Sequence, residues 1–193
     1  LRPNKGGQPY WLTWYAGGGV EGENVTEASV LSNATWIRDN LKTYYGFDGV
    51  LIDAIITDEV GDWLNYSETR FPSGMAGLVN KIHAMGLKAG LWIAPLWVEQ
   101  DGWISRTHPE SLARNKTGGL VVRDMYYGQV RHDMYFLNPF DPWVQERLQE
   151  VNQRISSWGF DFVKLDFLAR LIYRMYVENK TRYMIIEQIY KAI

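Results

Sequence analysis

The chain has 193 residues, of which 46% are hydrophobic and 22% are charged, and its formal net charge is −2. This composition is typical of a soluble globular domain, and the absence of cysteine excludes disulfides and thiol chemistry. We expect no nucleic-acid partner because the sequence carries no basic stripe. We expect no membrane partner because no apolar run reaches about 18 residues.

Aromatic residues are the outlier of the composition at 15%, with 9 Trp and 12 Tyr. Aromatic faces pack against sugar rings, and they also fill the cores of barrels, so composition alone leaves both uses open. Acceptor sequons for N-glycosylation are enriched, which permits a secreted or surface location and leaves a cytoplasmic one open. The sequons begin at Asn24, Asn33, Asn65, Asn115 and Asn179.

The predicted elements alternate between strands and helices. Strands are predicted over residues 9–16, 49–53, 87–94 and 159–167, and helices over residues 26–45, 73–86 and 141–159 and at the C-terminus. The helices show apolar residues at helical spacing; Gly46 ends the first, and Asp141-Pro142 begins the third. This alternation predicts an α/β chain with a parallel sheet and right-handed crossovers.

Four strand–helix units are visible, whereas an eight-stranded TIM barrel usually needs about 250 residues. We therefore predict that residues 1–193 form the N-terminal half of a catalytic (βα)8 barrel, with a long loop over residues 95–135. Four units leave two open sheet edges, so we expect a continuation of the chain or another subunit to complete the barrel. The start at Leu1, without methionine or signal peptide, fits an excerpt.

A complete flavodoxin-like sheet is the competing fold. It would place a phosphate-binding loop after the first strand. Gly17-Gly18-Gly19 stands there, but no Gly-Lys-Ser/Thr follows it. The barrel is therefore favoured.

The predicted buried parallel strand over residues 159–167 is the most informative segment. It is apolar until its carboxyl end, where Lys164 and Asp166 stand. A bare charge in a buried strand is costly unless it is paired or solvated, and active sites lie at the carboxyl ends of such strands. Asp166 is therefore the leading catalytic candidate, with a structural Lys–Asp pair as the alternative.

The other strand ends carry Trp14, Asp53 and Trp92, and a loop carries Asp62 and Trp63. Carboxylates accept hydrogen bonds from hydroxyls and indoles stack on C–H groups, so this set suits a carbohydrate ligand. It also suits glycoside hydrolysis, which uses two carboxylates. The loop with Asp62 and Trp63 could equally be a structural turn whose Trp packs inward, and this alternative stays open.

The histidines do not indicate a metal site. We expect His83 to be a core residue of its helix, the His108-Pro109 turn to be structural, and His132 to lie in a polar loop. Because no His/Asp/Glu cluster has metal-ligand spacing, we expect no metal and no cofactor. A serine hydrolase is also excluded, since no Gly-x-Ser-x-Gly elbow occurs.

Six segments, taken in chain order, carry a family resemblance. They are Trp11-Leu12-Thr13-Trp14-Tyr15; Val50-Leu51-Ile52-Asp53; Gly61-Asp62-Trp63 with Phe71-Pro72-Ser73-Gly74-Met75; Gly86-Leu87-Lys88-Ala89-Gly90-Leu91-Trp92-Ile93-Ala94-Pro95; His108-Pro109-Glu110; and Val163-Lys164-Leu165-Asp166-Phe167. Each is weak alone, but six in the right order are specific and extend over nearly the whole chain. Together they resemble the melibiase-type α-galactosidases of glycoside hydrolase family 36, in clan D.

The resemblance implies a retaining α-glycoside hydrolase of α-galactosidase type that works by double displacement. It implies that Asp166 is the nucleophile and forms a covalent glycosyl intermediate. Lys164 would bond sugar hydroxyls and help to keep Asp166 ionised, and Asp53 would bind hydroxyls at the far side of the ring. The substrate-binding set implied around them is completed by Asp62, Trp14, Trp63 and Trp92, with the indoles walling the pocket.

Two departures from the family pattern keep alternatives open. Ala54 follows Asp53 where the family has a second acid that helps to recognise galactose, so the sugar could be another α-glycoside. The general acid/base should follow a later strand, and no residue here is assigned to it. A family 31-type α-glucosidase is disfavoured because its nucleophile strand typically carries Trp-x-Asp. A raffinose-synthase-type transglycosylase and a non-catalytic sugar-binding or degenerate barrel fragment stay open.

Overall fold

The computed structural model describes residues 9–15, 25–127 and 130–192. The strands are β1 Tyr10–Leu12, β2 Gly49–Ile52, β3 Lys88–Ile93, β4 Trp97–Glu99, β5 Val122–Tyr127, β6 Val130–Phe136 and β7 Phe162–Leu165. The helices are α1 Glu27–Ile37, α2 Thr43–Tyr45, α3 Gly74–Ala84, α4 Trp103–Thr107, α5 Pro142–Ser157, α6 Leu168–Arg174 and α7 Arg182–Ala192.

The chain divides into two compact units. Unit 1 comprises Leu1–Ala54, Ser67–Trp92 and Ser157–Lys164. Unit 2 comprises Ile55–Tyr66, Ile93–Ser156 and Leu165–Ile193.

The sheet of unit 1 has the strand order β1-β2-β3-β7. β1 pairs with β2, and β2 with β3, in parallel, which confirms the predicted parallel sheet for these strands. Parallel neighbours need a long crossover, and α1 and α3 lie on the two crossovers. Within the described residues this sheet is open and no closed barrel is present. The structure is therefore α/β and covers a fragment of the barrel predicted from the sequence.

Two glycines on adjacent strands of this sheet make room for one aromatic ring. A Cβ on Gly90 of β3 would lie 2.2 Å from Cε2 of Phe162, and one on Gly49 of β2 would lie 3.6 Å from the same ring. The Phe162 ring also stacks on Tyr10 of β1, with ring centroids 4.7 Å apart. Side chains from the first and last strands of the sheet therefore meet over β2 and β3.

The first predicted helix is confirmed, with one difference. Thr26 is its N-cap and forms a reciprocal capping box with Ser29, and Gly46 ends it in the left-handed conformation at φ 70°. Between α1 and α2, Arg38–Lys42 form a π-helical turn, which the apolar spacing did not reveal. Such a turn inserts a residue into the helix without breaking it.

The prediction of a long loop over residues 95–135 was wrong. Unit 2 contains an antiparallel sheet there, with the strand order β4-β6-β5. Its strands carry charges, and Asp124 stands opposite Asp133. Because these charges disrupt the apolar/polar alternation by which strands are recognised, the sequence did not indicate a sheet. Antiparallel pairing depends on backbone hydrogen bonds and tolerates polar side chains on one face.

The helix predicted at Asp141-Pro142 is confirmed as α5. The Asp141 carboxylate accepts a hydrogen bond from the Val144 backbone N–H at 3.2 Å, which satisfies one of the first-turn donors. The apolar face of α5 is buried through Val144, Leu148, Val151 and Ile155. This spacing of four, three and four residues is that of a helix packed on one side.

Three details near the chain ends differ from the predictions. β1 ends at Leu12, so Trp14 lies in the 3-10 turn Thr13–Tyr15 and not in the strand. β7 is last in its sheet order and exposes Val163 to 36%, so it is not buried on both faces. The predicted C-terminal helix is confirmed as α7, but an additional short helix that was not predicted, α6, lies between it and β7.

Candidate active site

The strongest charged contact at a strand end joins Asp53 and Lys164, both in unit 1. Asp53 follows β2 and is only 4% exposed, and Lys164 lies on β7. The lysine Nζ donates to Asp53 Oδ2 at 2.8 Å, with 42% of the lysine side chain exposed. A carboxylate buried this deeply is costly unless it is paired, so Lys164 supplies the charge that Asp53 needs.

Thr13 holds Asp53 in place and was missed by the sequence analysis. Its hydroxyl accepts a hydrogen bond from the Asp53 backbone N–H at 2.9 Å and donates one to the Asp53 carbonyl at 3.0 Å. Thr13 is buried, and it follows β1, the neighbour of β2. Its position at a strand end, within the segment that carries the family resemblance, was the signal that could have identified it.

The indoles of unit 1 differ in exposure. Trp92 on β3 is buried, whereas Trp14 is 45% exposed. β3 lies between β2 and β7 in the sheet order, so Trp92 belongs to the strand that separates Asp53 from Lys164. Ala54, where the resemblance described above implies a second acid, is buried.

Asp166 belongs to unit 2 and is held on both sides by backbone hydrogen bonds. Its backbone N–H donates to the Ile93 carbonyl at 3.0 Å, and its carboxylate Oδ1 accepts from the Phe167 N–H at 2.7 Å. The residue is half-buried. These two bonds fix both the backbone of Asp166 and one of its carboxylate oxygens.

Asp62 and Trp63 make structural contacts within unit 2. Asp62 pairs with Arg147 through an Nη2–Oδ1 contact of 2.9 Å and accepts from the Asn65 amide at 2.7 Å. Trp63 is 1% exposed and belongs to the core of its unit. Their role as sugar contacts stays a prediction. The contacts they make here are those of the alternative, a structural turn whose Trp packs inward.

The histidines have structural partners. The prediction of His83 as a core residue was wrong: its side chain is 39% exposed and its Nε2 lies 2.8 Å from Asp161 Oδ2. His108 stacks on Trp143, with ring centroids 3.9 Å apart. The side chain of His132 lies outside the described residues.

The pKa of Asp161 is set by opposing effects. Burial raises it, but the Ala89 N–H, the His83 ring and the Lys88 charge outweigh burial and hold the pKa below its ordinary value. Asp161 comes before β7, at the opposite end of the strand from Asp166. This carboxylate therefore serves the stability of unit 1.

The described residues show neither a cluster of metal ligands nor a helix that could cross a membrane. No group of three or more His, Cys, Asp or Glu side chains in that part of the chain could hold a metal ion. No helix there combines the length and the apolar character needed to cross a membrane.

Comparison with known proteins identifies the family. The family model described as Melibiase matches residues 48–191. Alpha-galactosidase 1 of Pediococcus pentosaceus is 34% identical over 118 residues, which is 58% of this chain and 14% of that protein.

Solved structures agree with this family. The alpha-galactosidase TtGalA of Thermus thermophilus, in complex with p-nitrophenyl alpha-D-galactopyranoside, superposes with a TM-score of 0.75 and 27% identity over 97% of this chain and 36% of that one. A variant of the GH36 alpha-galactosidase AgaA of Geobacillus stearothermophilus, in complex with raffinose, shares the fold with a TM-score of 0.66 and 18% identity over 95% of this chain and 25% of that one.

The chain thus spans about a third or less of the length of these relatives. The Melibiase match covers most of the chain, and the structural neighbours give the same fold, of TIM-barrel type. The chain therefore belongs to the melibiase family, the alpha-galactosidase-type glycosidases of glycoside hydrolase family 36.

Proposed function

We propose that this chain carries the nucleophile and part of the sugar-binding site of a retaining α-glycoside hydrolase, with an α-galactoside or a related α-glycoside as substrate. The observation that carries the proposal is the pairing of buried Asp53 with half-buried Lys164, with Asp166 two residues after the lysine at the end of β7. Strand ends of this kind are where barrel enzymes place their chemistry. Family membership supports the same reaction class.

In the proposed reaction, a carboxylate oxygen of Asp166 attacks the anomeric carbon of the substrate. The bond from that carbon to the glycosidic oxygen breaks, and the leaving oxygen takes a proton from a general acid. Water then attacks the glycosyl–Asp166 ester and gives up a proton to the same group, which acts as base, so the anomeric configuration is retained. We assign the acid/base to no residue of this chain.

Lys164 and Asp53 would bind the sugar. An ammonium has three N–H donors and can donate to a sugar hydroxyl while it is bonded to Asp53. The Asp53 carboxylate can accept from a second hydroxyl. Because the pair is fixed before the ligand arrives, the ordering cost of binding is reduced. Trp14 and Trp92 are the further sugar contacts proposed for unit 1, and Asp62 and Trp63 are those proposed for unit 2.

The identity of the sugar depends on Ala54. An acid at this position would accept hydrogen bonds from a galactose hydroxyl, and alanine has no acceptor in its side chain. TtGalA was solved with an α-galactopyranoside and with stachyose. We propose an α-galactoside first and a related α-glycoside second.

We further propose that the sheet β1-β2-β3-β7 is the first four strands of an eight-stranded barrel and that residues 1–193 are its N-terminal half. The parallel pairing of its first three strands and the similarity to TtGalA over 97% of this chain support this. A further stretch of chain or a second subunit would supply the remaining strands, and with them the acid/base.

Covalent trapping tests the proposal. The natural protein that carries this chain is incubated with an α-galactosyl-configured covalent trapping reagent and digested for peptide mass spectrometry. We expect one adduct, on Asp166. Asp166→Asn should give no adduct and lower turnover by at least roughly a thousandfold, because the nucleophile is gone. The control is Asp101→Asn at an exposed carboxylate, which should be trapped normally.

The alternative functions give different results. A non-catalytic sugar-binding protein would form no adduct, and Asp166→Asn would change only its affinity for galactose. An adduct on another residue would contradict the assignment of Asp166. A transglycosylase would be trapped at Asp166 but would transfer the sugar to an added saccharide in preference to water.

A further inference from the structure

The backbone directly after Asp166 has an unusual conformation. Phe167 has φ 59° and ψ 22°, in the left-handed region. Together with Asn179 it is one of two non-glycine residues with positive φ in the described part of the chain. A bulky side chain rarely adopts this conformation, which costs free energy and persists only where surrounding contacts impose it.

Two side chains of the antiparallel sheet contact the Phe167 ring. Trp97 on β4 stacks on it, with ring centroids 4.0 Å apart and planes 12° from parallel. The Arg123 guanidinium on β5 lies 4.2 Å from the centroid of Phe167 and 5.1 Å from that of Trp97. We call Trp97, Arg123 and Phe167 the Phe167 cluster. All three residues belong to unit 2.

Trp97, on which the Phe167 ring stacks, is itself closely packed. Trp97 is almost fully buried and makes an edge contact with Phe136 of β6 at a centroid distance of 6.1 Å. β4 pairs with β6, and β6 with β5, so one sheet carries both partners of the Phe167 ring. A ring packed on a buried indole and a guanidinium is restricted in its rotamers.

The cluster is linked to Asp166 through one peptide group. The peptide N–H of Phe167 donates to Asp166 Oδ1 at 2.7 Å. The φ angle of Phe167 sets how this peptide plane is oriented relative to the anchored ring. On its other side, Asp166 is fixed by its own N–H bond to Ile93. A change of φ at Phe167 would therefore turn the donor away from the carboxylate.

We propose that the Phe167 cluster positions the Asp166 carboxylate for attack. Trp97 and Arg123 hold the Phe167 ring, the held ring imposes the left-handed backbone, and that backbone aims the N–H at one carboxylate oxygen. Trp97, Arg123 and Phe167 are positioning residues. This inference rests on the proposed role of Asp166 as nucleophile and adds a role for the antiparallel sheet.

Three substitutions at Phe167 separate the ring from the backbone. Phe167→Tyr keeps the ring, Phe167→Asn loses the ring but tolerates the left-handed region, and Phe167→Ala loses the ring and does not favour that region. The measurement is the maximal rate constant of trapping by the α-galactosyl reagent, in the natural protein, together with the reagent concentration that gives half of that rate.

We expect Tyr to trap within about twofold of the unsubstituted protein, and Ala to trap at least about tenfold slower, because small misplacements of reacting groups cost this much or more. Asn should fall between them. The half-saturating concentration should change little, since these residues orient the nucleophile and do not hold the sugar. This split between rate and affinity is not expected of a residue that only stabilises the fold.

Arg123→Met tests the sheet side of the cluster, and Arg182→Met is its matched control. Arg182 also lies over an aromatic ring of unit 2, with its Cζ 4.9 Å from the centroid of Tyr173. Arg123 is half-buried and Arg182 is exposed. Arg123→Met should slow trapping about as much as Phe167→Asn does. Arg182→Met should not slow it.

The outcomes separate the two proposals. An Asp166 adduct in the unsubstituted protein, with equal trapping rates in all folded variants, would overturn the positioning role and leave the nucleophile in place. Equal slowing by Arg182→Met and Arg123→Met would also overturn it. No Asp166 adduct in the unsubstituted protein would overturn both proposals. If Phe167→Ala fails to fold, the trapping rates of Phe167→Tyr, Phe167→Asn and Arg123→Met still decide whether the cluster positions Asp166.

Discussion

The two units fix their strand-end carboxylates by different physical means. In unit 1, buried Asp53 is held by a charge, the Lys164 ammonium, and by the hydroxyl of Thr13. In unit 2, Asp166 is held by backbone N–H bonds, and the residue that donates one of them, Phe167, is packed against an indole and a guanidinium. The first arrangement depends on electrostatics, and the second depends mainly on packing.

This difference suits different tasks. A charge pair brings two groups that can hydrogen-bond to a polar ligand, and it can exchange partners when the ligand binds. A packed ring such as that of Phe167 has no hydrogen-bond partners to exchange, and its packing keeps the backbone of the same residue in one conformation. Under the proposed function, the charge pair of unit 1 would serve recognition of the sugar, and the packed ring of unit 2 would serve orientation of the Asp166 carboxylate.

Among the variants that test this comparison, removing the Lys164 charge should produce the largest effect. Lys164→Met leaves the buried Asp53 carboxylate without its cation. We expect kcat/KM to fall roughly a hundredfold, as for other buried charged hydrogen bonds. Because 42% of the lysine side chain is exposed, the unfolding free energy should fall by the smaller amount of about 1–2 kcal/mol. Turnover and a urea titration measure the two losses.

The double variant Lys164→Met with Asp53→Asn is the control. It removes the unpaired charge, so it should regain part of the stability lost in Lys164→Met and none of the activity. A double variant that is less stable than the single one would contradict the electrostatic account of the pair.

Adding a methyl group under the Phe162 ring should have an intermediate effect, which is a loss of unfolding free energy. Gly90→Ala puts a methyl group 2.2 Å from the Phe162 ring. We expect a loss of about 1–3 kcal/mol in unfolding free energy, which is typical of overpacking. In a Phe162→Leu background the same change should cost much less, because the ring is gone. Equal losses in both backgrounds would show that the ring is not the obstacle.

The smallest effect is on the pH dependence of stability, and it concerns a second charged contact of unit 1. Buried Glu27 accepts from the Ser73 backbone at 2.8 Å and from the Lys81 ammonium at 2.6 Å. Burial raises the pKa of Glu27, but the bonds from Lys81 and Ser73 outweigh burial and hold the pKa below its ordinary value of 4.5.

A group with a lowered pKa stabilises the fold above its unfolded pKa, and this contribution is lost as pH falls through the folded pKa. Urea midpoints between pH 7 and pH 3 should therefore fall more steeply below pH 4.5 in the unsubstituted protein than in Glu27→Gln. Parallel curves for the two proteins would contradict this role of Glu27.

Unit 1 was largely predictable from the sequence because its signals are local. Gly46 marks a helix end that needs positive φ, and residues 49–52 form an apolar run between two helices, which is typical of a buried parallel strand. Asp53 and Lys164 stand out because they interrupt apolar runs. Their contact with each other was expected only from the general rule that strand ends converge.

Unit 2 was less predictable because its contacts join distant residues. Arg123 and Asp124 look like loop residues until their strand is paired with residues 130–136. The left-handed conformation of Phe167 is imposed by Trp97, 70 positions earlier in the chain, and no local pattern predicts positive φ at a phenylalanine. The engagement of Asp62 with Arg147, 85 positions away, was hidden for the same reason.

Thr13 has a consequence for the mutational tolerance of the site. Its hydroxyl both donates to and accepts from the Asp53 backbone while buried. Serine keeps both bonds, whereas valine, though nearly the same shape, leaves a buried N–H and a buried carbonyl without partners. In a library randomised at position 13, selection for function should therefore retain serine and threonine and discard the isosteric valine. A position that looks like part of an aromatic strand is thus constrained by one oxygen atom.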